Sequence, residues 1–159
     1  MQLELRLQPK QHELLDLCED SPATWLGYGG ARGGGKSAAA RRVMLIRRLS
    51  NPGTWGMIFR RVYDDVKRNH IDKFFEEYPG LRPYYRSSDH EVIIPTSVPD
   101  KPSKIVFGCA ETEEELKRKF HGPEYMDIFA DQAEQLSENE MRILKTACRW
   151  PGVSDNQCK

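Results

Sequence analysis

The chain lacks any apolar run approaching the roughly 18 residues that a bilayer-crossing helix needs, and no basic-then-apolar leader opens it, so neither a membrane span nor a secretory signal is expected. It also lacks net charge. The 24 Lys and Arg residues balance 24 Asp and Glu, so no global field draws it to DNA or to an anionic membrane, and any nucleic-acid contact has to be local or supplied by assembly. Cysteine is sparse and scattered: Cys18, Cys109, Cys148 and Cys158 form no C-x-x-C pair, and no histidine stands at ligand spacing from them. That pattern speaks against a zinc cluster or a disulfide framework and for reduced thiols in a cytosolic setting. No internal repeat, linker or low-complexity tract divides the 159 residues, enough for one domain around a buried sheet and too few for two.

What is present is an alternation of helical and strand patterns. Pro9 followed by KQHELLDLCED predicts a first helix with Leu14, Leu17 and Cys18 on one face. TWLGY at 24–28 reads as a short buried strand running into glycines, and KSAAARRVMLIRRLS as a mostly buried helix ending near Asn51, Pro52 and Gly53. In that helix Arg41, Arg42, Arg47 and Arg48 flank the apolar centre and read as exposed helix ends, with contact to phosphates as the other reading. WGMIFR is a second strand. VYDDVKRNHIDKFFEEYPG carries Val62, Val66, Ile71, Phe74 and Phe75 near helical spacing, and EVIIP and KIVFG are two further strands joined by a polar, proline-containing connection. ETEEELKRKF places carboxylates early and basic residues late, matching a helix dipole. YMDIFA is the last strand, and SENEMRILKTAC opens with a serine and a glutamate three residues on, the capping-box pattern. Strands separated by helices imply crossovers and a largely parallel sheet covered on both faces.

The chemistry starts at Gly30-Ala31-Arg32-Gly33-Gly34-Gly35-Lys36-Ser37, a full match to G-x-x-x-x-G-K-[ST] between a predicted strand and a predicted helix. Backbone N–H groups can converge on phosphate oxygens only where residues tolerate positive φ and carry no obstructing Cβ, and four glycines supply that freedom. Lys36 is placed to reach the terminal phosphates of a nucleotide and Ser37 to offer its hydroxyl oxygen to Mg²⁺, with the positive end of the following helix aimed at the anion. A plain glycine turn needs one or two glycines and no lysine-serine pair.

The second element is the apolar strand YMDIFA, which ends on Asp131. A strand of this kind delivers a carboxylate to the carboxyl edge of the sheet beside the loop, where Asp131 would hold Mg²⁺ through a water. Gln132 follows, where a hydrolytic site needs a group that accepts a proton from the attacking water; an amide of the same shape cannot accept it. The expected result is a site that binds a nucleotide in the normal geometry and turns it over slowly. Two other sources of water activation stay open: an amide that orients water, and Glu134 two residues on.

With these residues in hand, the chain resembles the ATPase domain of the large terminase subunit, the DNA-packaging motor of tailed bacteriophages and related prophages. LQPKQHEL, GGARGGGKS, GMIFRR and EELKRKFHGPEYMDIFADQAEQL carry the resemblance along nearly the whole chain. It implies an α/β P-loop NTPase of the additional-strand, RecA-like kind, a three-layer αβα sandwich around a mainly parallel sheet, as a single domain over 1–159, with a coupling motif and an RNase H-like nuclease domain lying beyond these residues. It assigns Arg32, inside the loop, a role near the terminal phosphate, and Gln11 the reading of the adenine edge. Gln132 departs from the family's Asp-Glu pair. The resemblance also implies a ring of subunits on the portal protein, a small terminase subunit as partner, duplex DNA gripped by its backbone, and the cytoplasm of the bacterial host as location. Arg118, in the run Lys117-Arg118-Lys119, becomes a candidate for the arginine one subunit offers its neighbour's nucleotide; the same run also reads as a solvated helix end.

Other functions share the loop. A RecA-like helicase or remodelling ATPase would add strand-separation motifs after the acidic strand. A nucleotide-gated assembly module would bind ATP without splitting it, and a small-molecule kinase would need a lid and an acceptor site.

Overall fold

The computed structural model describes residues 3–30 and 35–159. Helix α1 (Pro9–Asp20) starts with proline in its first turn, where a missing N–H costs nothing. Leu14 and Cys18 face inward as expected, but Leu17 is half exposed: α1 touches the rest of the fold along one narrow line, and position 17 lies off it. Helix α2 (Lys36–Ser50) packs Ala39 and Val43 against α1 and Met44 and Leu45 against the sheet.

Five strands follow: β1 (Trp55–Arg60), β2 (Tyr85–Arg86), β3 (Glu91–Ile94), β4 (Ser103–Cys109) and β5 (Asp127–Ala130). Their spatial order is β2-β3-β4-β1-β5, with β1 parallel to both β4 and β5, so Gly56 pairs with Ile105 on one side and Asp127 on the other. The centre is parallel as expected. The edge is not: β3 runs antiparallel to β4 and β2 to β3, because the connection at 95–102 is too short to carry the crossover that parallel neighbours require.

Helices cover both faces, giving three layers. On one face, helices α3 (Tyr63–Val66) and α4 (Asp72–Glu77), joined by a π-helical turn at Lys67–Ile71, pack with α2 over Ile58, Ile105 and Phe107. On the other, α5 (Glu113–Phe120) and α6 (Glu138–Ala147) bury Leu116, Phe120 and Leu144 against Met57 and Phe59. The serine signal is real: Ser137 accepts from Glu140 N at 3.2 Å, and Glu140 accepts from Ser137 N at 2.8 Å.

Two further expectations fail. The segment 24–28 is not a strand. The outer edge of β5 pairs instead with Lys159, whose carbonyl accepts from Ile128 N at 2.7 Å and whose N–H donates to Met126 O at 3.1 Å. The Lys159 ammonium donates to the carbonyls of Ser21 and Ala23, holding that stretch off the sheet. The α2 arginines are also not exposed ends. Arg41, Arg47 and Arg48 are buried; Arg41 pairs with Glu77, Arg47 with Glu19 and Asp127, and Arg48 with Asp127. Charged side chains enter a core only with such partners.

Candidate functional site

The N-terminus of α2 and the carboxyl ends of β1 and β5 meet at one edge of the sheet. Gly35 caps α2 with φ 75°, a left-handed conformation that side chains other than glycine adopt at a cost. Ala31, Arg32, Gly33 and Gly34 lie outside the described residues. Gly30, at φ 148°, offers its carbonyl to the Lys36 ammonium at 2.7 Å. The lysine thus reaches back over the mouth of its own helix, whose N-terminal amides and dipole favour an anion there.

Across the mouth stands Asp131, at the end of β5 and buried. Its backbone N–H donates to Phe59 O at 2.9 Å, extending the β1 pairing by one residue and fixing where the side chain emerges. The Ser37 hydroxyl donates to Asp131 Oδ2 at 3.0 Å, so two residues 94 positions apart in sequence meet. His70 Nε2 lies 2.9 Å from the same oxygen and Arg60 Nε 3.7 Å from it. Burial opposes ionisation of Asp131, but the bonds from His70 and Ser37 and the charge of Arg60 outweigh it and hold the carboxyl below its ordinary value. Burial drives His70 the other way, lowering its pKa despite the pull of Asp131, so the ring is neutral near pH 7 and Nε2–H is the donor.

A hydroxyl and a carboxylate in contact are hard oxygen donors of the kind magnesium takes. Among the described residues no group of three or more His, Cys, Asp or Glu is arranged to hold a metal. A site with few protein ligands suits an ion that keeps most of its waters and is shared with phosphate oxygens. The residues fit the ion.

The other sequence candidates are placed as follows. Gln132 is exposed, its backbone left-handed at φ 58° and ψ 49°, its Oε1 accepting from Gln135 Nε2 at 3.0 Å. Glu134 is exposed in the following 3₁₀ turn. Together with Lys36 and Asp131 these two line one end of a cavity of about 270 Å³ between α1, α2, the 24–28 segment and β5. Gln11 is 1% exposed. Its amide accepts from Gln8 N at 3.0 Å and Arg42 Nη1 at 3.3 Å and donates to Gly35 O at 3.5 Å, bracing α1 against the loop, so presenting it to a base exchanges those contacts. Arg118 is exposed on α5, away from this edge, in a groove shared with α6.

Sequence reading missed His70 and the roles of the two arginines that end the strand GMIFRR. Arg61 donates to the carbonyls of Glu111 and Gln135 and to Glu140, pinning the turn that follows Asp131. A signal for His70 existed: it stands between Val66 and Phe74 at i+4 spacing, a histidine within an apolar stripe.

Gly35 and Lys36 at the mouth of α2, set on a parallel β4-β1-β5 core with a carboxylate at the adjacent strand end, form the α/β arrangement of the P-loop NTPase fold. The fold is that of phage large terminases. The large terminase of a thermophilic bacteriophage, solved in complex with ADP, superposes with a TM-score of 0.65 at 16% identity, covering 92% of this chain and 37% of that one. The large terminase ATPase domain of Thermus phage P74-26 gives 0.51 at 18% identity, over 75% and 54%. At these identities the likeness establishes the fold, and the chain spans just over a third of the length of the first. No protein-family model and no curated protein sequence matches it. Among the described residues no helix is long and apolar enough to cross a membrane.

Proposed function

We propose that this chain is the ATP-binding and ATP-hydrolysing part of a viral DNA-packaging motor, a large terminase subunit that couples the nucleotide cycle to movement of duplex DNA. The observation that carries the proposal is the 3.0 Å contact between Ser37 and Asp131 at the mouth of α2. The loop amides and the α2 dipole receive the phosphates, Lys36 leaves Gly30 O to neutralise their charge, and Arg32 adds a second cation inside the loop. Ser37 and Asp131 hold magnesium, which when bound draws charge from the phosphate oxygens. Gln132 orients water but takes no proton from it, so the chain retains ATP. Duplex DNA is gripped by its phosphates without base reading, and the portal protein, the small terminase subunit and neighbouring copies in a ring are the assembly partners.

The test is paired: ATP binding and turnover of this chain and of Gln132→Glu, with and without duplex DNA. Restoring the carboxylate is expected to raise turnover by roughly 10²–10⁴-fold, the usual contribution of a general base, while leaving binding unchanged. ATP-dependent oligomers with no turnover in either protein would favour a nucleotide-gated assembly module, and strand separation would favour a helicase.

A further inference from the structure

We infer that His70 is a positioning residue for Asp131, holding its carboxylate at the rotation that meets Ser37; the inference rests on the reading of Asp131 as the magnesium-holding carboxylate. Ser37 Oγ and His70 Nε2 both contact Oδ2, at 3.0 and 2.9 Å. A carboxylate turns readily about its Cβ–Cγ bond, and a turn that carries its oxygen out of this position loses the His70 and Ser37 contacts together. Outer partners of this kind set the orientation of a metal ligand.

The helix around His70 is built for this contact. Between α3 and α4 the chain widens to a π-helical turn at Lys67–Ile71, a local irregularity that recurs at functional sites. The turn brings His70 beneath Asp131 while Val66, Ile71 and Phe74 stay in the core. Helix α2 grips it: Arg41 donates to the carbonyl of Asn69 at 2.6 Å and pairs with Glu77 about two turns beyond. The helix that carries Ser37 therefore also fixes the turn that carries His70. Packing alone does not account for a histidine here. The ring is 0% exposed, and its Nδ1 is buried with no hydrogen-bond partner among the described residues, a penalty that an apolar side chain of similar size would avoid.

The test measures magnesium dependence of binding, using a fluorescent non-hydrolysable ATP analogue and the full 159-residue chain. His70→Leu removes the donor, His70→Asn keeps a donor too short to reach, and His70→Gln puts an amide N–H where Nε2 stands. Leu and Asn are expected to raise the half-saturating Mg²⁺ concentration on the order of tenfold or more with analogue binding in EDTA unchanged, and Gln to stay within about threefold of the parent. If His70→Leu does not fold, the contrast between Asn and Gln decides. Parent-like magnesium dependence in Leu and Asn, alongside its loss in Asp131→Asn, overturns the inference and reduces His70 to packing. Unchanged dependence in Asp131→Asn overturns the reading of Asp131 beneath it.

Discussion

Asp127→Asn is expected to be the most damaging single-atom exchange outside the site. Asp127 opens β5, 6% exposed at its side chain, and both of its oxygens are taken by arginines of α2: Oδ1 by Arg47 and Oδ2 by Arg48. Arg47 has further partners in Glu19, Cys18 O and Gln157 O. Arg48 is fully buried, and its Nε and Nη1 find no partner among the described residues, so its charge depends on Asp127. An asparagine of the same shape leaves that guanidinium uncompensated, which costs about 3–5 kcal/mol when a buried pair is broken from one side. Against a domain stability of about 5–15 kcal/mol this is a large fraction, and at about 2–4 °C per kcal/mol it corresponds to a fall in Tm of roughly 10 °C. Urea unfolding followed by circular dichroism reads it directly. Arg48→Met in the same background removes the stranded charge and is expected to recover part of the loss. A loss below about 1 kcal/mol for Asp127→Asn would refute the reasoning, because no buried charge in this class is that cheap to strand.

Two further predictions follow from the buried titratable groups. In EDTA, stability should fall as pH drops below 6.5, because the unfolded chain protonates its histidine while His70, depressed by burial, stays neutral until its own lower pKa is reached. A second loss should begin below 3.8, where unfolded Asp131 takes a proton that the folded carboxyl refuses. His70→Leu should flatten the first window and narrow the second, because the His70 bond is part of what holds Asp131 low, and equal slopes in both proteins would contradict the assignment. Burial also lifts Cys18 to about 11 and Cys148 to about 12, so both stay as thiols at pH 8. An aromatic disulfide reagent should label the partly buried Cys109 first and reach the buried Cys18, Cys148 and Cys158 only on unfolding; rapid labelling of two or more would show the core to be open.

The parts of the fold legible in the sequence are those specified locally. The serine cap of α6, the glycine that opens α2, and the apolar runs of β1, β4 and β5 each carry their own signal, and the meeting of Ser37 with Asp131 follows once both are placed on a parallel sheet. What stayed hidden depends on residues far apart in the chain. Arg47 and Arg48 read as solvated because nothing near them announces Asp127, some 80 positions on. The segment 24–28 has strand composition, yet the β5 edge it needs is engaged by Lys159. Hydrophobic pattern specifies which face of an element is buried, but not which competitor reaches an open edge first. His70 was visible only as an exception within an apolar stripe, and its partner lies on another element.

The most direct measurement is an equilibrium titration of this chain with ATP, in magnesium and in EDTA, beside Asp131→Asn. Ser37 and Asp131 jointly holding the ion predict saturable binding that magnesium tightens in the chain and does not tighten in Asp131→Asn. No saturable binding, or the same magnesium effect in both proteins, would contradict the account.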